Sequence, residues 1–241
     1  MATDVRRRAD VVERYGRSAR WLHAGVYVTV LVLMGTGLWL LAGNEGDPSP
    51  LSRLTGVADT RLHVWFGWAF VTIVLLGLVL GVRAARTFVL ESLRVDAGDL
   101  AWFRRWPQAV LTGRFTRHEG HFDPGQRIAN VALVLSLLTV TASGVAMALL
   151  HGGPAFVWLV PVHTWSTYVL VALVVGHVAI ASGILPGYHG VWHSMHLGGR
   201  VPTTVARRVW PGWTERYLVR GTPETTRSAA PLAGRGPEAG R

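Results

Sequence analysis

The chain has no cysteine and no lysine among its 241 residues. Without thiols it has no disulfides, no thiolate-held iron–sulfur cluster and no C-x-x-C-H attachment of c-type haem. A redox centre would have to be held by histidine, methionine or carboxylate. Acidic residues are scarce too, 14 against 24 arginines, and the formal net charge is +10. Such a balance can signal nucleic acid, but these arginines are segregated by loop, which is a membrane pattern, so no nucleic-acid partner is expected. Charge is missing altogether from residues 128–199, which contain no Asp, Glu, Lys or Arg.

In place of charge there is apolar surface: half the chain is hydrophobic and its mean hydropathy is +0.30. Four stretches, 21–42, 61–82, 126–150 and 162–184, reach the ~20 residues a helix needs to cross the ~30 Å hydrocarbon layer. The first is too long for a cleaved signal core and is treated as retained. Of the 24 arginines, 22 lie in the amino-terminal segment, the 83–127 connection and the segment from Arg200 onward, while only Arg53 and Arg61 lie in the other loops. The excess places both termini in the cytoplasm. The expectation is an all-α, multi-pass protein of a prokaryotic cell membrane, a four-helix bundle over 21–199. A cytoplasmic segment precedes it (1–20), and a cytoplasmic, partly disordered tail (200–241) follows. Loops 43–60 and 151–161 are Gly- and Pro-rich connections, and the aromatic, basic run Asp99–Trp106 suits an interfacial helix.

Histidines stand out in so apolar a chain. His163 and His177 are fourteen residues apart in the fourth stretch. Fourteen steps of ~100° fall about 40° short of four turns, so both rings share a face, ~21 Å apart along the axis. They mark two depths. Topology gives each a partner: His63 begins the second span at the outer level, with His163, and His23 begins the first span at the inner level, with His177. Four-helix bundles build cofactor sites from facing side chains, and two neutral imidazoles around a porphyrin iron make a closed electron-transfer centre. Span glycines (Gly35, Gly37, Gly67, Gly77, Gly144, Gly176) would admit a porphyrin face or simply close helix packing. His118, His121 and His151 read as solvated surface. His189, His193 and His196 have the spacing of one helical face, which suits zinc or, more simply, an amphipathic interfacial segment.

These residues carry a resemblance. Arg20-Trp-Leu-His23, His63, His121-Phe-Asp-Pro-Gly-Gln-Arg127, the His163/His177 spacing and Met195-His-Leu-Gly-Gly-Arg-Val201 are similar to the cytochrome b (gamma) subunit of respiratory formate dehydrogenases, related to the cytochrome b subunits of nickel–iron hydrogenases. The likeness runs from about Arg14 to Trp213, with Ala24 where the family usually has tryptophan and Asp123 where it usually has asparagine. It implies two haems b, His63 and His163 on the outer iron, and His23 and His177 on the inner. It also implies iron–sulfur and catalytic subunits as partners, and a membrane quinone that accepts electrons near Asp123, the backbone of Gly125 and His177. Asp123 has a second role open to it, the amino-terminal cap of the third span. The chain would then be an electron-transfer subunit of a quinone-reducing oxidoreductase complex. The alternatives are a free-standing di-haem quinone oxidoreductase, a hydrogenase cytochrome b subunit, and a haem-free transporter. The last is disfavoured by the lack of any intramembrane carboxylate.

Overall fold

In a computed structural model of the chain, residues 11–42 and 47–221 are described. Strand β1 (Val11–Glu13) precedes helix α1 (Arg17–Leu41), and the short α2 (Pro50–Thr55) leads into α3 (Asp59–Leu80). Two amphipathic helices follow, α4 (Val82–Ser92) and α5 (Asp99–Thr112), then the long α6 (Pro124–Leu150) and α7 (Pro154–Ala181). Two 3-10 turns (Pro186–Tyr188 and Val191–Ser194), strand β2 (Arg200–Pro202), α8 (Thr203–Val209) and α9 (Pro211–Gly221) close the described chain.

Helices α1, α3, α6 and α7 are long and apolar enough to cross a membrane. Local chemistry sets their ends. Asp123 caps α6 by accepting from the Gln126 N–H at 2.8 Å, with Pro124 at the first helical position, where its missing N–H costs nothing. At the other end His151 takes the left-handed conformation at φ 55°, and Gly153 at φ 89° starts the turn into α7. The fourth span therefore begins at Pro154 instead of 162. The Gly/Pro-rich composition that suggested a loop over 151–161 conceals two helical turns. Pro161 lies inside α7, and membrane helices tolerate such a proline because neighbouring groups satisfy the freed carbonyl.

Helix α1 packs along α3 and α6 along α7, with α3 meeting α6 between the pairs. Outward side chains such as Leu75, Val79, Val157, Val169 and Val175 stay exposed, as a lipid-facing surface requires. The principal buried hydrophobic cluster lies elsewhere, in a cap at the end of the bundle where the described residues begin and end. Val12, Val110, Tyr188, Val201, Val209 and Trp210 form it. Strands β1 and β2 pair antiparallel there, with Val12 opposite Val201, so the segment before α1 is tied to the segment after α7. The segment from Arg200 to Gly221, expected as tail, is a folded part of this cap, because its apolar residues meet partners distant in sequence. The disorder expected for the last twenty residues lies outside the described residues.

Buried charge holds the cap to the bundle. Arg127, 3% exposed, reaches from the first turn of α6 to Asp96 at 2.9 Å and Asp99 at 3.2 Å, and donates to the carbonyls of Arg94 and Phe122 at 3.1 Å each. Removing one partner from such a set costs about 3–5 kcal/mol, since the other charge is left buried. The Arg14 guanidinium lies 4.3–5.1 Å from the ring centres of Tyr15, Trp210 and Trp213 and donates to His121 Nδ1 at 3.0 Å and to its carbonyl. His118 is buried, with Nε2 donating to the Val209 carbonyl at 2.9 Å. His118 and His121, expected on solvated surface, are thus interior cap residues, because the carboxy-terminal helices fold back over their loop. His151 is exposed, as expected. The Asp99–Trp106 run does form a helix, α5, but Trp102 on it is buried, turned into the cap and not into lipid headgroups.

Candidate functional site

The bundle places His63 on α3 opposite His163 on α7, with ring centres 6.2 Å apart. At the level nearer the termini, His23 on α1 faces His177 on α7 at 6.3 Å. Both intervals have a physical meaning. Two iron–nitrogen bonds of ~2 Å and two ring radii of ~1.15 Å span about 6.3 Å through a single metal atom. The four histidines singled out by spacing and topology are therefore brought together in the expected pairs, at the interval that fits one iron between each pair.

The His63–His163 level is built in detail. Thr36 Oγ1 lies 2.8 Å from His63 Nδ1 and also donates to the carbonyls of Val32 at 3.0 Å and Leu33 at 3.2 Å. Ser143 Oγ lies 3.0 Å from His163 Nδ1 and donates to the carbonyls of Thr139 at 2.7 Å and Val140 at 3.0 Å. Each hydroxyl has one hydrogen and gives it to its own helix, so towards the imidazole it can only accept. With the hydroxyl hydrogens given to the helix, Nδ1 carries the hydrogen and the lone pair on Nε2 is left for a metal. The Val140 carbonyl, 3.0 Å from His163 Nδ1, imposes the same tautomer. Outer hydrogen bonds of this kind fix ring orientation and raise ligand basicity.

A cavity of about 430 Å³ surrounds this pair, lined almost wholly by apolar side chains of all four spans, among them Leu33, Phe70, Leu137 and Leu170. Its size and lining match those of small-molecule and cofactor sites. Glycine makes room at two places: a Cβ on Gly37 would come within 3.2 Å of His63 Cε1, and one on Gly144 within 3.0 Å of His163 Cε1. Gly67 also lines the cavity, and a Cβ there would meet nothing within 4 Å. Fixed tautomers, a cradle cleared by glycine and an apolar wall suit a porphyrin with two axial imidazoles.

The His23–His177 level is different. Neither ring is hydrogen-bonded among the described residues. His23 instead has aromatic neighbours: Tyr27 at 5.6 Å and His196 at 6.1 Å between ring centres. His196 comes from the segment after α7 and is held by the Trp192 carbonyl, which accepts from its backbone N–H at 3.1 Å and lies 3.3 Å from its Nδ1. His189 and His193 do not join it. The three are distributed over separate turns, and no cluster of three metal-binding side chains occurs among the described residues.

Asp123 is buried beside this end of the bundle. Its carboxyl is pushed up to about 6 by burial, against the opposing pull of the Gln126 and Gly125 N–H groups and of Arg127 and Arg14. A Cβ on Gly125 would come within 2.9 Å of the Trp102 ring, so α5 packs closely against this half-buried glycine. The cap role of Asp123 is realised. Thr36, Ser143 and Tyr27 went unnoticed in the sequence, and His196 was singled out there only with His189 and His193. The signal for the first two was a lone hydroxyl in an apolar span, which is usually bonded only to its own helix and so does not stand out.

Residues 14–198 match the family described as prokaryotic cytochrome b561. No curated protein matches the chain at a significant level.

Proposed function

Because the chain belongs to the prokaryotic cytochrome b561 family, we propose that it is the membrane-anchoring di-haem subunit of a respiratory dehydrogenase, formate dehydrogenase foremost, that delivers electrons to a membrane quinone. Membership makes it a membrane cytochrome b of electron transfer with haem b as its group. The observation that carries the di-haem proposal is one imidazole interval, 6.2 and 6.3 Å, repeated at two levels.

Haem b, when bound, would supply a one-electron couple suited to electron transfer. The chain's residues do the rest. His63 and His163 would hold the outer group, Thr36 and Ser143 orient the two rings through Nδ1, and the apolar cavity excludes water. His23 and His177 hold the inner group. The segregation of 22 arginines supports placing both termini in the cytoplasm and the His63–His163 level outside. Electrons enter at the outer level from an iron–sulfur subunit and leave at the inner level to a quinone, in the region marked by Asp123, Gly125 and His177. With protons drawn from the cytoplasm, each electron moved inward works against the membrane potential, ~2.3 kcal/mol per 100 mV.

The purified protein is expected to hold two haems b per chain and to show a reduced-minus-oxidised b-type spectrum. One haem, or none, overturns the di-haem proposal. Purification from native membranes is expected to bring an iron–sulfur subunit and a formate-oxidising subunit with it. A nickel-bearing partner would favour the hydrogenase form. A protein that purifies alone and still exchanges electrons with quinone would favour the free-standing form.

A further inference from the structure

The four spans are layered in depth. Gly37 and Gly144 approach His63 and His163, so residues 37, 63, 144 and 163 mark the outer level on α1, α3, α6 and α7. Seven positions inward on each helix stand Val30, Phe70, Leu137 and Leu170. Seven residues fall only ~20° short of two turns, so each of these keeps the inward face of its helix at ~10.5 Å greater depth. Seven positions further, α1 and α7 reach His23 and His177. The four apolar side chains therefore form a layer midway between the two histidine levels.

Burial singles this layer out. Among the described residues the spans bury four aliphatic or aromatic side chains, and three of them, Val30, Phe70 and Leu170, belong to it. The cavity around His63 and His163 ends there: together with Val71, the four are the innermost residues that line it. Polar groups at this depth are occupied. Thr29 donates to the Gly25 carbonyl at 2.8 Å, Ser136 to that of Ser166 at 3.4 Å and Thr167 to that of His163 at 2.8 Å. No charged residue lies within 21–44, 62–82 or 128–199. A water molecule needs two to four polar partners, and the layer offers it none.

We propose that Val30, Phe70, Leu137 and Leu170 form a proton barrier between the two histidine levels, an inference that rests on the two-level electron-transfer function proposed above. An electron crosses a packed apolar layer by tunnelling and takes no atom with it. A proton needs water or a free polar side chain at each step. The layer passes the first and stops the second. Negative charge moved inward is then not cancelled by protons following it through the same bundle, and the membrane potential is kept.

The test uses the full-length, haem-loaded protein in liposomes that enclose a pH-sensitive dye. With potassium and valinomycin clamping the potential, the decay of an imposed pH step measures passive proton entry, with no electron donor and no turnover. Phe70→Ser and Leu170→Ser each open space beside a hydroxyl that can partner water, whereas Phe70→Leu keeps the layer apolar. Both serine variants are expected to admit protons roughly 10-fold faster than wild type, as a layer that can hold water allows. Phe70→Leu should match wild type, and haem content and the b-type spectrum should be unchanged in all three. Serine variants as tight as wild type overturn the barrier. So does a leak that appears only where haem is lost, for the layer is then merely a wall of the outer site. An equal leak in Phe70→Leu overturns it too, since loosened packing would then suffice. The electron-transfer function fails separately: wild type with one haem or none overturns the two-level reading, while the leak comparison still decides the barrier.

Discussion

The two histidine levels use the same residue type at nearly the same interval, yet the surrounding protein treats them differently. At the His63–His163 level both Nδ1 atoms are bonded, at 2.8 and 3.0 Å, and the rings face a cavity cleared by glycine. At the His23–His177 level the rings are unbonded among the described residues, and His23 is flanked by Tyr27 and His196. The first arrangement fixes a group in one orientation. The second leaves the two rings without such restraint among the described residues. Helical spacing repeats an imidazole at two depths, but only the neighbouring helices decide which depth is sealed.

The largest effect that tests this contrast is loss of a ligand. His63→Leu or His163→Leu is expected to remove the outer haem alone, so that haem content falls from two per chain to one with the inner spectrum retained. His23→Leu or His177→Leu should give the converse. Loss of both haems in every variant would show that the levels are not independent. Next in size is the cradle. Gly144→Val places atoms where His163 Cε1 now lies, 3.0 Å from a Cβ, so outer haem occupancy should fall below half, measured by pyridine haemochrome against chain concentration.

A smaller effect is expected from the outer hydrogen bonds. Thr36→Val and Ser143→Ala leave each imidazole in place without its hydroxyl, and affinity for the outer group should drop about 10–100-fold. Transfer of haem to a globin acceptor would measure it, and equal loss from both levels would break the contrast.

The smallest effect concerns the cap that joins the inner level to both termini. Burial and the neighbouring Arg14 push the His121 imidazole down to about 3, and burial lowers His118 as well. A histidine depressed in the folded state stabilises above its unfolded value of ~6.5, and the benefit is lost as pH falls below that. Asp123, raised to about 6, works oppositely between its unfolded value and 6, but it is one group against two. Acidification from pH 7.5 to 5.5 should therefore cost the cap on the order of 1 kcal/mol through His121, partly offset by Asp123, seen as a lower unfolding midpoint in tryptophan fluorescence. His121→Gln should flatten the dependence. Outer haem content should not follow it.

The parts legible in the sequence were those governed by local rules. Uncharged runs of about twenty residues announce spans, and a fourteen-residue interval sets two rings on one face of α7. Asp123-Pro124 announces a helix start. Other features failed to show because their causes are distant in sequence. Pro161 read as loop, but α7 carries it because its neighbours tolerate the missing hydrogen bond. His118 and His121 read as solvated, but α8 and α9 return from ninety residues away to bury them. Thr36 looked like any hydroxyl in a span until α3 brought His63 against it.

By itself the sequence determined the solvent of this protein and its stock of ligands, for a chain without cysteine or intramembrane carboxylate can bind a redox metal in lipid only through imidazole or thioether. The tertiary structure decided which imidazoles face one another, which carry a fixed tautomer and which stand beside free polar groups. Those properties depend on distances between helices, and composition and periodicity constrain only the faces of each helix taken singly.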